Sequence, residues 1–434
     1  MKKPLFALLA LSIVSWLGSI WLNPPPQIDV WWLRSEGMNL TGILSFELMG
    51  LIMLLAVRPV WLEKPLGGLD QMYRLHKWAG ILAISLGLLH YLLKLSGGLL
   101  HQFFTRPPRG PRPEFWLDAL RHPAKDLGEW AVWLLGIMLI ITLWQRFPYV
   151  IWRVVHKILA VVFIVLALHS LVLMPHSYWL QPVGWLLAVT AMMGTACAVM
   201  SLSGQIGRKR THRATVSAVT PISANTLELE CTVSGAWQHQ PGQFAFLRLA
   251  GWEGAHPFTI ASAPNAAQTL RFSIKALGDF TRQLPHKVQV GDVVSIEGPY
   301  GCFIGAASQE TPQVWIAGGI GITPFLAWLE ALATQGADAP TATLHYCVRD
   351  AQDAIYAPRL QALCGQLPSI TLKVHYSAQA GRPTLAKLGI APQNGQWPSI
   401  WFCGPDGLAK QLRYELNQQG MPAQHFHQEA FQMR

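Results

Sequence analysis

Residues 1–205 contain six apolar stretches, 4–22, 39–57, 77–95, 129–145, 152–174 and 179–201, each close to the length that a bilayer core demands. A helix needs about 20 apolar residues to cross the hydrocarbon, and lipid offers no water to stray backbone groups. This half of the chain is therefore restricted to an all-α, six-helix membrane bundle. The first stretch opens with Met1-Lys2-Lys3, as a signal peptide does. No small-x-small cleavage site stands near residues 18–26, so a retained helix is the expectation.

Six spans leave both ends on one side. Lys2-Lys3 precedes the first span and Gly207-Arg208-Lys209-Arg210 follows the last. The positive-inside rule makes that side cytoplasmic, in a cell (inner) membrane. Arg58, Lys64, Arg74, Arg146 and Arg153 agree with this orientation. The loop 96–128 runs against it, with Arg106, Arg109, Arg112, Arg121 and Lys125 on the outer side among prolines that include Pro107, Pro108, Pro111 and Pro113. The formal net charge of +10 lies largely at span edges, which points to membrane anchoring and away from nucleic acid. None of the six cysteines forms a CxxC pair, so neither a disulfide framework nor a zinc site is expected.

Imidazole inside a span is costly and is usually kept for a function. The third span holds His76 and His90, fourteen residues apart; the fifth holds His156 and His169, thirteen apart. At about 1.5 Å of rise per residue each pair is separated by roughly 20 Å along the membrane normal. The third and fifth spans run the same way, so His76 faces His156 at the inner level and His90 faces His169 at the outer. Facing imidazoles at each depth suit two b-type haems. A spacing of fourteen returns to one helical face; thirteen does not, and requires a kink or an approach from a flank. His176 rivals His169 but follows Pro175 near the span end, while His101 and His122 fall in loops. Arg74, Lys77, Arg153 and Lys157 stand at the inner level as candidate propionate partners or as snorkelling cations. Phe163 lies midway between the two levels, as a core aromatic.

Residues 213–304 alternate apolar and polar in short runs separated by turns, the pattern of an antiparallel barrel. Residues 313–434 alternate strands with helical stretches, the pattern of an α/β domain. Val314-Trp315-Ile316-Ala317 reads as a buried strand, and Gly318-Gly319-Ile320-Gly321-Ile322-Thr323-Pro324 as a Gly-rich turn into a helix. Such a turn lets a pyrophosphate approach the backbone and the helix N-terminus. The expected domains are thus 1–205, 206–310 and 311–434.

His256-Pro257-Phe258-Thr259-Ile260-Ala261-Ser262-Ala263-Pro264, followed by Ile274-Lys275-Ala276-Leu277-Gly278-Asp279-Phe280-Thr281, resembles the FAD-binding segments of the NADPH oxidase and ferric reductase family. Gly298-Pro299-Tyr300-Gly301, the Gly-rich turn and Cys403-Gly404-Pro405 follow in the family's order, and the histidine pairs match its haem helices. The resemblance implies a haem-binding ferric reductase-like domain, a FAD-binding β-barrel and an NAD(P)-binding domain of ferredoxin reductase type. It implies that His256, Pro257, Phe258 and Thr259 lie along the isoalloxazine, with Ser262 close by. Lys275, Gly278 and Thr281 would meet the FAD pyrophosphate. Gly318, Gly319, Gly321, Thr323 and Pro324 would form the nicotinamide nucleotide site, with Cys403 and Gly404 near the carbon that gives up hydride. Arg349 and Arg382 would meet a 2′-phosphate, which Asp350 would repel. Phe431 would stack on the flavin and move aside for nicotinamide. This sequence departs from the eukaryotic oxidases at Lys94, where they carry a histidine beyond the outer haem ligand.

The expected function is electron transfer from cytoplasmic NAD(P)H, NADPH or NADH, through FAD and two haem b to an external acceptor: oxygen, giving superoxide, or ferric iron. Two alternatives stand beside it: the same path feeding a membrane or periplasmic protein, and a nucleotide-sensing membrane flavoprotein with no transmembrane transfer. The sequence is silent on oligomeric state.

Overall fold

The computed structural model describes residues 2–108, 116–144, 146–249, 254–305, 312–335, 339–392 and 395–429. The chain forms two compact units, one of residues 1–67 and 71–206, the other of 207–434 with 68–70.

The first unit is built on six helices, each long and apolar enough to cross a membrane. They are α1 (Lys2–Leu22), α2 (Val30–Ala56), α3 (Leu69–Leu100), α4 (Arg121–Leu143), α5 (Tyr149–Leu173) and α6 (Pro182–Leu202). Several run past the apolar stretches read from the sequence, because hydropathy marks the lipid-matching part of a helix and not its ends. Trp130, Ile137, Ile140, Val189 and Met192 are exposed around the outside, where lipid is their natural solvent. Inside, the contacts depend on small residues, as expected where no hydrophobic force drives helices together. A Cβ on Gly50 would lie 2.3 Å from Thr190, and one on Gly194 would lie 2.2 Å from the Phe163 ring. Phe163 is buried and stacks on Phe46 with centroids 5.4 Å apart, so it is a packing aromatic.

The second unit begins with six antiparallel strands, β1 (Thr211–Ser223), β2 (Thr226–Val233), β3 (Phe244–Leu249), β4 (His256–Thr259), β5 (Thr269–Lys275) and β6 (Val293–Tyr300). Their order is β4-β3-β6-β1-β2-β5, and a bridge between Ile260 and Phe272 links the two ends of that order. Alternate residues such as Leu229, Leu247, Phe272 and Ile296 point inward and are fully buried. Helix α7 (Asp279–Lys287) follows β5.

A five-stranded parallel sheet follows, ordered β11-β10-β7-β8-β9. Its strands are β7 (Gln313–Gly318), β8 (Ala342–Val348), β9 (Ile370–Tyr376), β10 (Ser399–Cys403) and β11 (Phe426–Glu429). The helices α8 (Thr323–Gln335), α9 (Ala357–Gly365) and α10 (Asp406–Gln418) flank it. Both faces are covered, so its strands are apolar on both sides. Trp315, Leu344 and Tyr346 enter one core and Ile316, Phe402 and Leu412 the other.

Candidate functional site

The bundle brings its four expected histidines together in two pairs. His76 on α3 and His156 on α5 have ring centroids 6.0 Å apart, at 50°. His90 and His169 are 6.4 Å apart, at 76°. Helix α5 runs unbroken through both of its histidines, so the thirteen-residue spacing is met by approach from two flanks and not by a break.

Each ring has its own anchor. The Nδ1–H of His90 donates to the Met38 carbonyl at 2.9 Å, and that of His169 to the Ala124 carbonyl at 2.7 Å. A carbonyl can only accept, so both rings carry the proton on Nδ1 and keep the Nε2 lone pair free. His76 is hydrogen-bonded to the backbone of Ile52. His156 stacks on Trp152 at 4.7 Å, and its buried Nδ1 has no partner among the described residues. Glycines make room: a Cβ on Gly128 would lie 2.2 Å from the His169 ring, and one on Gly42 would lie 3.1 Å from His90. Arg74, Lys77 and Lys157 are exposed and Arg153 is half-buried; His176 opens a separate 3-10 turn, His176–Leu180. Lys94 pairs with Glu129 at 2.6 Å, and Tyr91 donates to the same carboxylate.

In the second unit His256, Pro257, Phe258 and Thr259 form β4, paired to β3 with Thr259 opposite Phe244. The His256 ring stacks on Phe280 at 3.8 Å. The Thr259 hydroxyl is buried without a hydrogen-bond partner among the described residues, as a group kept for a ligand would be. Ser262 Oγ accepts the Arg271 N–H at 3.1 Å, while His239, held neutral by burial, donates Nε2–H to the Ser262 carbonyl. Lys275 stands 3.8 Å from Asp353. Thr281 Oγ1 accepts the N–H groups of Leu277 and Gly278, so its lone pairs serve the turn.

The nucleotide turn is shaped by a neighbouring turn. A Cβ on Gly318 would meet Pro405 at 2.6 Å, one on Gly321 would meet the Cys403 carbonyl oxygen at 2.2 Å, and one on Gly404 would meet the Gly318 backbone at 3.0 Å. These glycines let the ends of β7 and β10 pack backbone on backbone. Gly319 differs: it faces open space and has φ +56°, which favours glycine. Thr323 caps the turn through the Ile320 carbonyl, and Pro324 begins α8 with it. Arg349 is exposed and already pairs with Asp350 at 3.0 Å and Asp353 at 3.5 Å; Arg382 is exposed too.

Cys403 ends β10, fully buried, with its thiol pushed well above the usual range by burial. Such a thiol is a poor nucleophile. Opposite it on β11 is Glu429, a residue missed from sequence. Burial raises the Glu429 carboxyl well above the ordinary carboxylate range, and neither oxygen has a hydrogen-bond partner among the described residues. A Cβ on Gly301 would lie 3.2 Å from one of those oxygens. Gly301 follows Tyr300, which pairs with Phe244, which pairs with Thr259. The two orphaned groups thus flank one strand pair. The available signal was an acid two residues before Phe431, which itself lies outside the described residues.

Comparison with known proteins agrees with this layout. Residues 41–167 match the ferric reductase like transmembrane component, 210–303 a FAD-binding domain and 315–413 an oxidoreductase NAD-binding domain. The toluate 1,2-dioxygenase electron transfer component of Pseudomonas putida is 28% identical over 235 residues, 51% of this chain and 67% of its own length. The propane 2-monooxygenase reductase component of Mycolicibacterium goodii is 33% identical over 155 residues, 35% of this chain and 44% of its own. The anthranilate 1,2-dioxygenase electron transfer component of Acinetobacter baylyi is matched over 57% of its length, so these relatives are spanned only in part. Among solved structures, the FAD/NAD binding domain of nitric oxide dioxygenase from Vibrio cholerae aligns with 50% of this chain and 97% of its own, at 24% identity and TM-score 0.43. A bundle, a FAD-binding domain and a nucleotide-binding sheet in this succession match a ferric reductase and NADPH oxidase-like architecture, with FAD- and NAD-binding domains of the kind found in NAD(P)H oxidoreductases.

Proposed function

We propose that the chain carries electrons from cytoplasmic NAD(P)H through FAD and two b-type haems, across a cell membrane, to oxygen or a ferric chelate. The observation that carries this reading is the spacing within the two imidazole pairs, 6.0 and 6.4 Å between centroids. An imidazole nitrogen binds a first-row metal at about 2.0–2.1 Å, so two imidazoles on opposite sides of one ion have centroids roughly 6.4 Å apart. Among the described residues no group of three or more His, Cys, Asp or Glu is arranged to hold a metal. Each pair supplies two donors only, and a porphyrin would supply the remaining ones. The Nε2 lone pairs left free on His90 and His169, with glycine seats behind both rings, fit such a group.

His76 and His156 would hold one haem, and His90 and His169 the other, in a domain ending near residue 205. Thr259, with the strand around it, would receive the flavin in a domain spanning 206–310. The turn Gly318–Pro324 and Glu429 would receive the nicotinamide nucleotide in a domain spanning 311–434. When bound, FAD accepts two electrons together and releases them singly, and haem passes them on singly. Within each unit the residues named here would set the distance and orientation of the group they hold.

A second reading keeps this path but ends it on a protein acceptor; the electron transfer components among the relatives favour it. One experiment separates these. The purified chain should show a reduced b-type spectrum with two haems per chain, and NADPH or NADH should bleach its flavin. Oxygen and ferric citrate are then offered in turn, with superoxide dismutase as control. A chain without haem sinks the proposal; a haem-loaded chain inert to both acceptors favours the protein partner.

A further inference from the structure

Four charged side chains of the reductase unit close into a ring. Arg271 on β5 and Glu228 on β2 come from neighbouring strands of the barrel. Glu330 on α8 and Arg359 on α9 belong to the nucleotide-binding part. Glu330 Oε1 accepts from Nη2 of Arg271 and, at 2.5 Å, from Nη2 of Arg359. Glu228 Oε2 accepts from Nη1 of Arg359 at 3.3 Å and stands 3.6 Å from Nε of Arg271. The signs alternate, so each carboxylate has a guanidinium on either side. The side chains of Arg271, Glu228 and Glu330 are only 13, 13 and 18% exposed, and that of Arg359 is 32% exposed. Pairs this sheltered are little screened by salt.

Glu330 does more than balance charge. Its second oxygen accepts the N–H of Ala263 at 3.3 Å. Ala263 follows Ser262 in the flavin segment, and Arg271 also donates to the Ala261 carbonyl at 3.0 Å. One carboxylate therefore grips both the backbone of that segment and the guanidinium beneath it. Glu330 lies two helical turns along α8 from Thr323, where the nucleotide turn ends. A helix this short is stiff, so holding Glu330 fixes the turn against the flavin segment.

We propose that Glu330 is a positioning residue for hydride transfer: its carboxylate latches the helix behind the nucleotide turn to the flavin segment and sets the gap between the two bound rings. This rests on the NAD(P)H-to-flavin reading. In that step the C4–H bond of the dihydronicotinamide breaks, both its electrons and the proton pass to the flavin, and oxidised nicotinamide remains. Glu330 exchanges neither proton nor electron; it acts through distance alone. An error of about 1 Å between reacting atoms costs on the order of 100-fold in rate.

The test is anaerobic rapid mixing of the full, FAD-loaded chain with NADPH or NADH. Glu330→Gln keeps the shape, removes the charge and leaves two guanidiniums facing an amide. Its FAD content and half-saturating nucleotide concentration should stay within about twofold of wild type, while the limiting rate of flavin reduction falls at least about tenfold. The charge-transfer absorbance between nicotinamide and flavin should weaken with it, and Glu330→Asp should recover part of both. Should Glu330→Gln not fold, Arg359→Gln at the ring's exposed edge is read the same way, with a smaller fall expected. A variant that melts lower but keeps the wild-type limiting rate and charge-transfer band overturns the latch. A wild-type chain whose flavin neither nucleotide reduces overturns the underlying reading instead.

Discussion

The two histidine levels of the bundle use one residue type, yet they hold it differently. At the His90–His169 level both Nδ1–H groups are tied to carbonyls, on α2 and α4, and both rings rest on glycine. At the His76–His156 level one ring is tied to α2, while the other leans on Trp152 with its Nδ1 unpaired among the described residues. A ligand whose far nitrogen donates to a carbonyl is fixed in tautomer and is a stronger electron donor. The levels are therefore unequal by construction: the first is stiffer, and under the proposed reading it would favour oxidised iron more. The reductase unit adds a third pair that sharpens the contrast. His345 Nδ1 and His375 Nε2 are in direct hydrogen-bond contact at 2.9 Å, with centroids 5.1 Å apart. That pair has closed on itself and leaves no gap for an ion.

The largest effect that could break this comparison comes from deleting a ring. His169→Ala and His76→Ala should each lower the haem content from two per chain to one, measured by pyridine haemochrome against protein. Loss of both haems, or of neither, would mean the levels are not separate sites. Next comes Gly128→Ala. Its methyl would fall 2.2 Å from the His169 ring, so that ring must leave its seat and its level should lose most of its haem. Gly42→Ala intrudes only to 3.1 Å and should keep the haem while shifting its midpoint potential. A smaller effect lies in the wild type itself: a redox titration should resolve two midpoints, with the lower at His90–His169. Trp152→Phe should then move only the higher one.

The smallest effect concerns the closed pair. Burial, and then the charge of His375, push His345 down to about 3. Unfolded, it would titrate near the ordinary value of about 6.5, so below that pH the unfolded chain binds the extra proton. Its neutrality therefore costs nothing above about pH 6.5 and lowers stability as pH falls toward 3, by at most about 1.4 kcal/mol per pH unit. Thermal melts at about pH 7.5 and 5 should diverge less for His345→Gln than for wild type.

Much of the bundle was open to sequence reasoning because hydropathy and helical rise are local properties. The six spans and the matched depths of the four histidines needed nothing else. What stayed hidden was how His156 and His169, on different faces by helical angle, could both meet α3. Angle belongs to one helix, whereas contact depends on the axes of two. The reductase unit hid more. Glu330 is visible as a lone acid amid Trp328, Leu329, Ala331 and Leu332, yet its partners lie 59 and 29 residues away. Glu429 gave only its place before Phe431. Thr281 reads as a phosphate contact by resemblance, while its geometry serves the turn that carries it.

The glycines of the turn proposed to hold the nucleotide carry a consequence for anyone seeking to redesign coenzyme choice. Gly318, Gly321 and Gly404 are mutually committed, since a side chain on any of them would wedge two main chains apart. Directed changes there would wreck the loop before they altered its taste. The more workable target under the proposed reading is the exposed Arg382, whereas Arg349 and Asp350 are bound to one another and Asp350 also holds the N–H groups of Gln352 and Asp353.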